Sequence, residues 1–196
     1  MNNMDKILKI LEDNGILFTS DLKRLNIPRT YLSKLEKQGE IERVSRGVYI
    51  SKNMIDDEIY YVQLKFPNII YSHETALFMH GLSDRTPIKY SITVPSTYKV
   101  PKNIKEKYKV FYIRPELHNV GIMLAKNSFG HDVKIYNVER TICDIIRSRS
   151  KMDLQIFYDA LKRYTKSKTL DYLTLNEYAK ELKVDKILRK YLEVLL

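Results

Sequence analysis

Apolar residues recur three and four apart over residues 5–14, at Ile7, Leu8, Ile10 and Leu11, and this spacing predicts an amphipathic helix. Gly15 ends it, since a residue free to take positive φ closes a helix without steric penalty. Ile16 and Phe18 are expected to pack beneath. Ser20 reads as the N-cap of a second helix, with Asp21 in its first turn and Leu22 and Leu25 facing inward. Asn26-Ile27-Pro28 forms a turn. A third helix follows over 28–38, stopped by Gly39, with Leu32 and Leu35 on its inner stripe; Tyr31 is open to packing against the second helix or to a phosphate contact through its hydroxyl, and packing is the favoured reading. Two short strands, 41–44 and 48–50, then flank the tip Ser45-Arg46-Gly47. Helix, helix, turn, helix and a two-strand ribbon are the grammar of a winged helix-turn-helix, a module that seats one helix in the major groove of DNA.

The polar face of the third helix fits that role. Arg29, Thr30, Ser33, Lys34 and Lys37 fall opposite the leucines, and short or cationic groups there can meet base edges and phosphates. Arg43 and Arg46 sit on the ribbon and at its tip, where an arginine can enter the minor groove or clamp phosphate. About four to six phosphate contacts per copy would make binding strongly salt-dependent.

Beyond a polar stretch at 51–57 the pattern changes. A helix is expected over 57–66, a short strand over 69–71, and a helix capped by Ser72 running to His80, with Ala76, Leu77 and Leu82 on its core side. Alternation predicts strands over 90–94, 110–113, 121–125 and 131–136, whereas 96–107 reads as a lysine-rich loop or short irregular segment. Asn137 caps a helix through Arg147 with Val138, Ile142, Ile145 and Ile146 inward, and helices over 153–165, 176–182 and 185–195 complete the chain. Thr174 and Glu177 have capping-box spacing. The strands are amphipathic, which favours an antiparallel or mixed sheet over a doubly wound parallel one. The expected fold is α+β: a winged helix-turn-helix over 1–52, then an α+β domain over 53–196 whose last part, about 151–196, is a helical lobe.

Composition narrows the class. A single cysteine, Cys143, excludes a disulfide framework and a cysteine-rich zinc site, and no apolar run is long enough to span a bilayer; a reducing, cytoplasmic setting fits best. The first residues carry acids and helical periodicity, unlike a signal peptide. The formal charge of +10 favours a polyanionic partner. The excess is uneven: residues 1–50 carry +2, while 99–114 and 147–168 carry +5 each. These two segments are candidates for further contact with a nucleic-acid backbone, through Lys102, Lys105 and Lys107, or for contact with an acidic surface or RNA.

Catalytic motifs are absent from the sequence. The histidines His73, His80, His118 and His131 form no metal spacing, and pairing with backbone groups or with Asp84 is the favoured reading. No glycine-rich phosphate loop or nucleophile elbow exists, and Cys143 lies on the apolar flank of a helix, where a thiol is inert. The carboxylates Asp56, Asp57, Glu58, Asp84, Glu139 and Asp144 have no nucleotide-holding partner; Glu139 with Arg140 reads as a surface or helix-to-sheet ion pair. No cofactor or metal is implied.

The stretch TSDLKRLNIPRTYLSKLEKQGEIERVSRGVY resembles the winged-helix start of the AbiEi family of antitoxins and transcriptional regulators, and SHETALFMHGLSDRTP, SITVP and VKIYNVERTICDIIR are similar to the later family pattern. The resemblance implies an antitoxin of a type IV, phage-defence toxin–antitoxin system that represses its own promoter at inverted repeats. It also implies a nucleotidyltransferase-like toxin that is countered without a stable complex, and two copies on DNA without a required preformed dimer. The family's reading helix maps onto Arg29, Thr30, Ser33, Lys34 and Lys37, and its wing onto Arg43 and Arg46. The alternatives are an enzyme, such as a nuclease guided to DNA by the helix-turn-helix, and a protein-interaction module.

Overall fold

The computed structural model describes residues 2–51, 57–167 and 170–195, and divides the chain into two compact units, Met1–Pro67 and Asn68–Leu196. The expected link at 52–56, with Asp56, and Lys168 of the second basic segment lie outside the described residues.

In the first unit, α1 (Asn3–Asn14) is followed by β1 (Ile16–Phe18), α2 (Thr19–Arg24), α3 (Thr30–Gln38), β2 (Ile41–Ser45), β3 (Val48–Ser51) and α4 (Glu58–Lys65). The strands form an antiparallel sheet in the order β1-β3-β2. Ile7, Leu11, Leu17, Leu22, Ile27, Leu32, Leu35, Ile41 and Tyr49 make the core, with Tyr31 packed against it, half-buried. Full burial of one such leucine contributes about 2 kcal/mol.

Four local expectations differ from the structure. Leu17 is the buried residue of β1 while Phe18 is 43 % exposed, because pairing with β3 turns alternate side chains to opposite faces. Ser20 is not the cap of α2: the helix starts at Thr19, and Asp21 Oδ2 accepts the Phe18 N–H at 3.0 Å. Leu25 is 50 % exposed, since Ile27, beyond the turn, takes the core position. The third helix also starts later than expected, at Thr30, with Arg29 as its N-cap.

The second unit holds β4 (Ile70–Tyr71), α5 (His73–Met79), β5 (Ser91–Pro95), α6 (Lys102–Lys107), β6 (Lys109–Ile113), α7 (Pro115–His118), β7 (Ile122–Lys126), β8 (Asp132–Tyr136), α8 (Val138–Arg147), a 3-10 turn (Arg149–Lys151), α9 (Leu154–Thr165), α10 (Tyr172–Glu181) and α11 (Asp185–Leu195). Its sheet is mixed, in the order β6-β5-β4-β8-β7, with β4–β8 and β5–β6 parallel and the other pairs antiparallel. Parallel neighbours need a crossover, and α6 supplies the one between β5 and β6. It replaces the loop expected at 96–107, because Ile104 is buried and anchors an otherwise lysine-rich turn. The helix α10 begins at Tyr172 rather than 176. Asp171 caps it by accepting the Thr174 N–H at 3.0 Å, so the Thr174–Glu177 capping box does not form.

Helix α8 lies at the centre of this unit, packed against α5, α9, α10 and α11. Asn137 caps it through the Arg140 N–H at 2.9 Å, as expected. Ile142, Ile145 and Ile146 are buried, and so is Arg140, at 0 % exposure. The ion pair expected of Arg140 with Glu139, at the surface or from helix to sheet, is not the one found: Arg140 pairs with Asp144 on its own helix. Its Nε donates to Asp144 Oδ2 at 3.1 Å, its Nη1 donates to the carbonyls of Leu117 and Val120 at 2.8 and 2.7 Å, and the guanidinium lies 4.2 Å from the Tyr136 ring centroid.

Candidate nucleic-acid interface

Helix α3 presents two faces because Leu32 and Leu35, three apart, fix one side to the core. Arg29, Thr30, Ser33, Lys34 and Lys37 are all exposed on the rest of the helix surface. At 3.6 residues per turn, Arg29, Ser33 and Lys37 fall on one stripe, with Thr30 and Lys34 on the next. Lys34 Nζ stands 5.6 Å from the centroid of the Tyr31 ring, within reach of a cation–π attraction.

The hairpin β2–β3 approaches that surface. Its ladder shifts between Arg43 and Ser45, an irregularity that turns Val44 into the core although Ile41, three residues earlier, is also buried. Arg43 stays exposed, and its Nε donates to the Ser45 carbonyl at 3.4 Å. Arg46 is exposed at the tip beside Gly47. Gly47 has φ +81°, and a Cβ there would stand 2.8 Å from Thr19 Oγ1. Its carbonyl accepts the Thr19 N–H at 2.8 Å, which ties the start of α2 to the wing.

These elements enclose a groove of about 480 Å³ lined by Arg29, Ser33, Arg43, Arg46, Thr19 and Tyr49, among others. Four of the seven residues singled out in the sequence thus meet around one concavity. Thr30, Lys34 and Lys37 do not line it; they lie on the solvent side of α3. Thr19 and Tyr49 escape sequence reasoning, and the only hint of Thr19 is the glycine at the hairpin tip that accommodates it. Among the described residues no carboxylate pairs with Arg29, Arg43, Arg46 or Lys37. Glu42, the acid on β2 next to Arg43, points to the other side of the strand. There the Tyr61 hydroxyl donates to its Oε1 at 2.7 Å and Lys65 Nζ stands at 3.4 Å, both from α4. Burial, reinforced by this bond, raises the Tyr61 hydroxyl above its ordinary pKa.

The remaining candidates lie in the second unit. His80 Nε2 is 2.7 Å from the Tyr136 carbonyl and His118 Nε2 is 3.1 Å from that of Asn68, in line with backbone pairing. Asp84 is instead bound by Arg163, which holds its carboxyl below the usual range. His73 is wholly buried between hydroxyls, Nδ1 2.9 Å from Ser72 Oγ and Nε2 3.0 Å from Ser148 Oγ. Burial pushes the Cys143 thiol up to about 12, which leaves it unreactive. Lys102, Lys105 and Lys107 are exposed on α6, with Lys102 Nζ 3.8 Å from Glu106. Among the described residues no group of three or more His, Cys, Asp or Glu side chains is placed to hold a metal, and no helix is long and apolar enough to cross a membrane.

Residues 5–52 match the family model described as "Transcriptional regulator, AbiEi antitoxin". The similarity to this family lies wholly within the N-terminal unit. The match spans the helices and the wing that shape the groove, and the matched segment has the winged α+β form expected from the sequence. Among solved structures, the crystal structure of the RV2827C protein from Mycobacterium tuberculosis is similar over 91 % of this chain and 71 % of its own, with a TM-score of 0.58 and 11 % identity. At that identity the likeness shows a shared fold alone. No curated protein matched the chain.

Proposed function

We propose that the protein is a sequence-specific DNA-binding repressor of its own promoter and the antitoxin of a type IV toxin–antitoxin system. The observation that carries this is the groove between α3 and the wing, where Arg29, Ser33, Arg43 and Arg46 converge without carboxylate partners inside the segment that matches the AbiEi family. In this reading α3 enters the major groove. Arg29, Thr30, Ser33, Lys34 and Lys37 read base edges or fix register on phosphates, while Arg43 and Arg46 grip from the wing. Residues 1–52 read DNA and 53–196 carry antitoxicity. The operator is an inverted repeat occupied by two copies, one per half-site, which a monomer in solution satisfies. The partner is a nucleotidyltransferase-like toxin that forms no stable complex with the antitoxin, and the setting is cytoplasmic. The protein acts by binding rather than by catalysis.

A gel shift of the full chain on DNA from immediately upstream of its gene, at several salt concentrations, tests the DNA reading. The expected result is two successive retarded species on the dyad that fade as salt rises. Absence of a shift at the lowest salt rejects it. For the antitoxin role, co-expression with the toxin encoded beside it is expected to restore growth without co-purification of the pair.

A further inference from the structure

The two segments with the largest excess of positive charge meet in the second unit. A groove of about 430 Å³ runs beside β6, the last strand on its side of the sheet. It is lined by Lys109 and Tyr112 from β6 and by Arg147, Ser148, Ser150 and Lys151 from the end of α8 and the turn after it. Lys109 Nζ donates across to the Lys151 carbonyl at 3.0 Å and to Glu74 at 2.7 Å. Arg147 shares Asp144 with the buried Arg140. Of the three cations that line the groove, Lys109 is answered by Glu74, Arg147 has only a share of Asp144, and no carboxylate among the described residues pairs with Lys151. Beneath the Phe111 ring that lines the groove, His73 is stacked with ring centroids 3.5 Å apart, and burial lowers its pKa well below the ordinary value, so it adds no charge of either sign.

The strand edge limits what can lie here. The Lys109 N–H donates to the Tyr90 carbonyl and the Ile113 carbonyl accepts the Ser96 N–H, so Lys109, Phe111 and Ile113 turn their backbones to β5. In a parallel pair both groups of a residue point the same way, which leaves only Val110 and Tyr112 facing outward. Two residues are too short an edge for an added peptide strand. A double helix is too wide for the groove, which has room for about one or two nucleotides. Tyr112 is 44 % exposed beside the cations. Uncompensated positive charge, the exposed hydroxyl of Ser150 and an exposed aromatic face are the combination that holds a single nucleic-acid strand by its phosphates and one stacked base.

We propose that this groove binds single-stranded nucleic acid, with phosphate held between Arg147 and Lys151 and a base stacked on Tyr112. The site lies wholly within the second unit, so it stands or falls separately from the DNA-reading wing.

Fluorescence anisotropy of the full chain with labelled oligo(U) and oligo(dT) of about twelve nucleotides tests it. Both exposed positions can be changed without touching the core, and circular dichroism checks that the variants fold. Lys151→Glu and Tyr112→Ala are each expected to weaken binding about tenfold, while the double variant Arg43→Gln/Arg46→Gln leaves it unchanged. Tighter binding of one oligomer identifies RNA or DNA as the source of the strand. The proposal is overturned if neither oligomer binds, if the groove variants bind as the wild type does, if only the wing variant loses binding, or if polyglutamate of equal charge displaces the oligomer as well as unlabelled strand does.

Discussion

In the first unit Arg29, Arg43 and Arg46 stand exposed around a groove, and among the described residues no carboxylate answers them. In the second unit Arg140 is wholly enclosed, with Asp144, two carbonyls and the face of Tyr136 around it. The residue type is the same and the physics differs. A solvated guanidinium contributes little to stability and is available to a ligand, whereas a buried one has its hydrogen-bonding geometry set by the fold. Substitutions in the two places should accordingly separate binding from stability.

The largest effect is expected at Arg140. Arg140→Ala leaves Asp144 buried without its nearest cation and should cost about 3–5 kcal/mol in urea unfolding. A loss no greater than that of a surface residue would erase the contrast. At the tip of the wing, Gly47→Val meets both a positive φ and the Thr19 hydroxyl, and should cost about 1–3 kcal/mol together with a loss of operator affinity. Differential scanning calorimetry and a gel shift on the same preparation check both parts.

Mild acid should act first on the second unit. The chain's histidines are His73, His80, His118 and His131, all in the second unit. The first three are held below their ordinary pKa, in each case first by burial. Each stays neutral when folded but takes up a proton when unfolded below about pH 6.5. Their contribution to stability is therefore present above that pH and is lost as pH falls toward the folded value, by up to about 1.4 kcal/mol per pH unit for His73. Unfolding followed between pH 7 and 5 by hydrogen exchange should show the second unit weakening first. The smallest change in stability is expected for Lys102→Gln/Lys105→Gln/Lys107→Gln, within about 0.5 kcal/mol. If these lysines hold DNA backbone, affinity falls for every sequence and the salt slope drops by about 3; an unchanged slope removes them from the interface.

The sequence exposes most of the first unit because its signals are local. Glycines at 15 and 39 stop helices, and Leu32 with Leu35 orients α3. Its errors are local too: Asp21 outcompetes Ser20 as the group that caps α2, and pairing with β3 decides which residue of β1 turns inward. In the second unit, α6 is masked by lysines that conceal a single apolar anchor, Ile104. The spacing of Arg140 and Asp144, four apart on a helix, signals an ion pair but not its burial, which depends on α7 and the turn before β7 supplying carbonyls. The groove beside β6 joins Lys109 to Lys151, and only sheet order reveals that the two charged segments meet.

The central claim is that α3 and the wing grip duplex DNA together, and anisotropy titrations of the full chain on its own upstream duplex and on a scrambled one test it most directly. Run between about 50 and 200 mM salt, Arg43→Gln/Arg46→Gln should lower affinity for both duplexes and reduce the slope of log K against log salt by about 2. Ser33→Ala and Lys34→Ala should narrow the preference for the upstream duplex by about tenfold. Wild-type affinity, slope and preference in all of these variants, with the fold intact, would contradict the account.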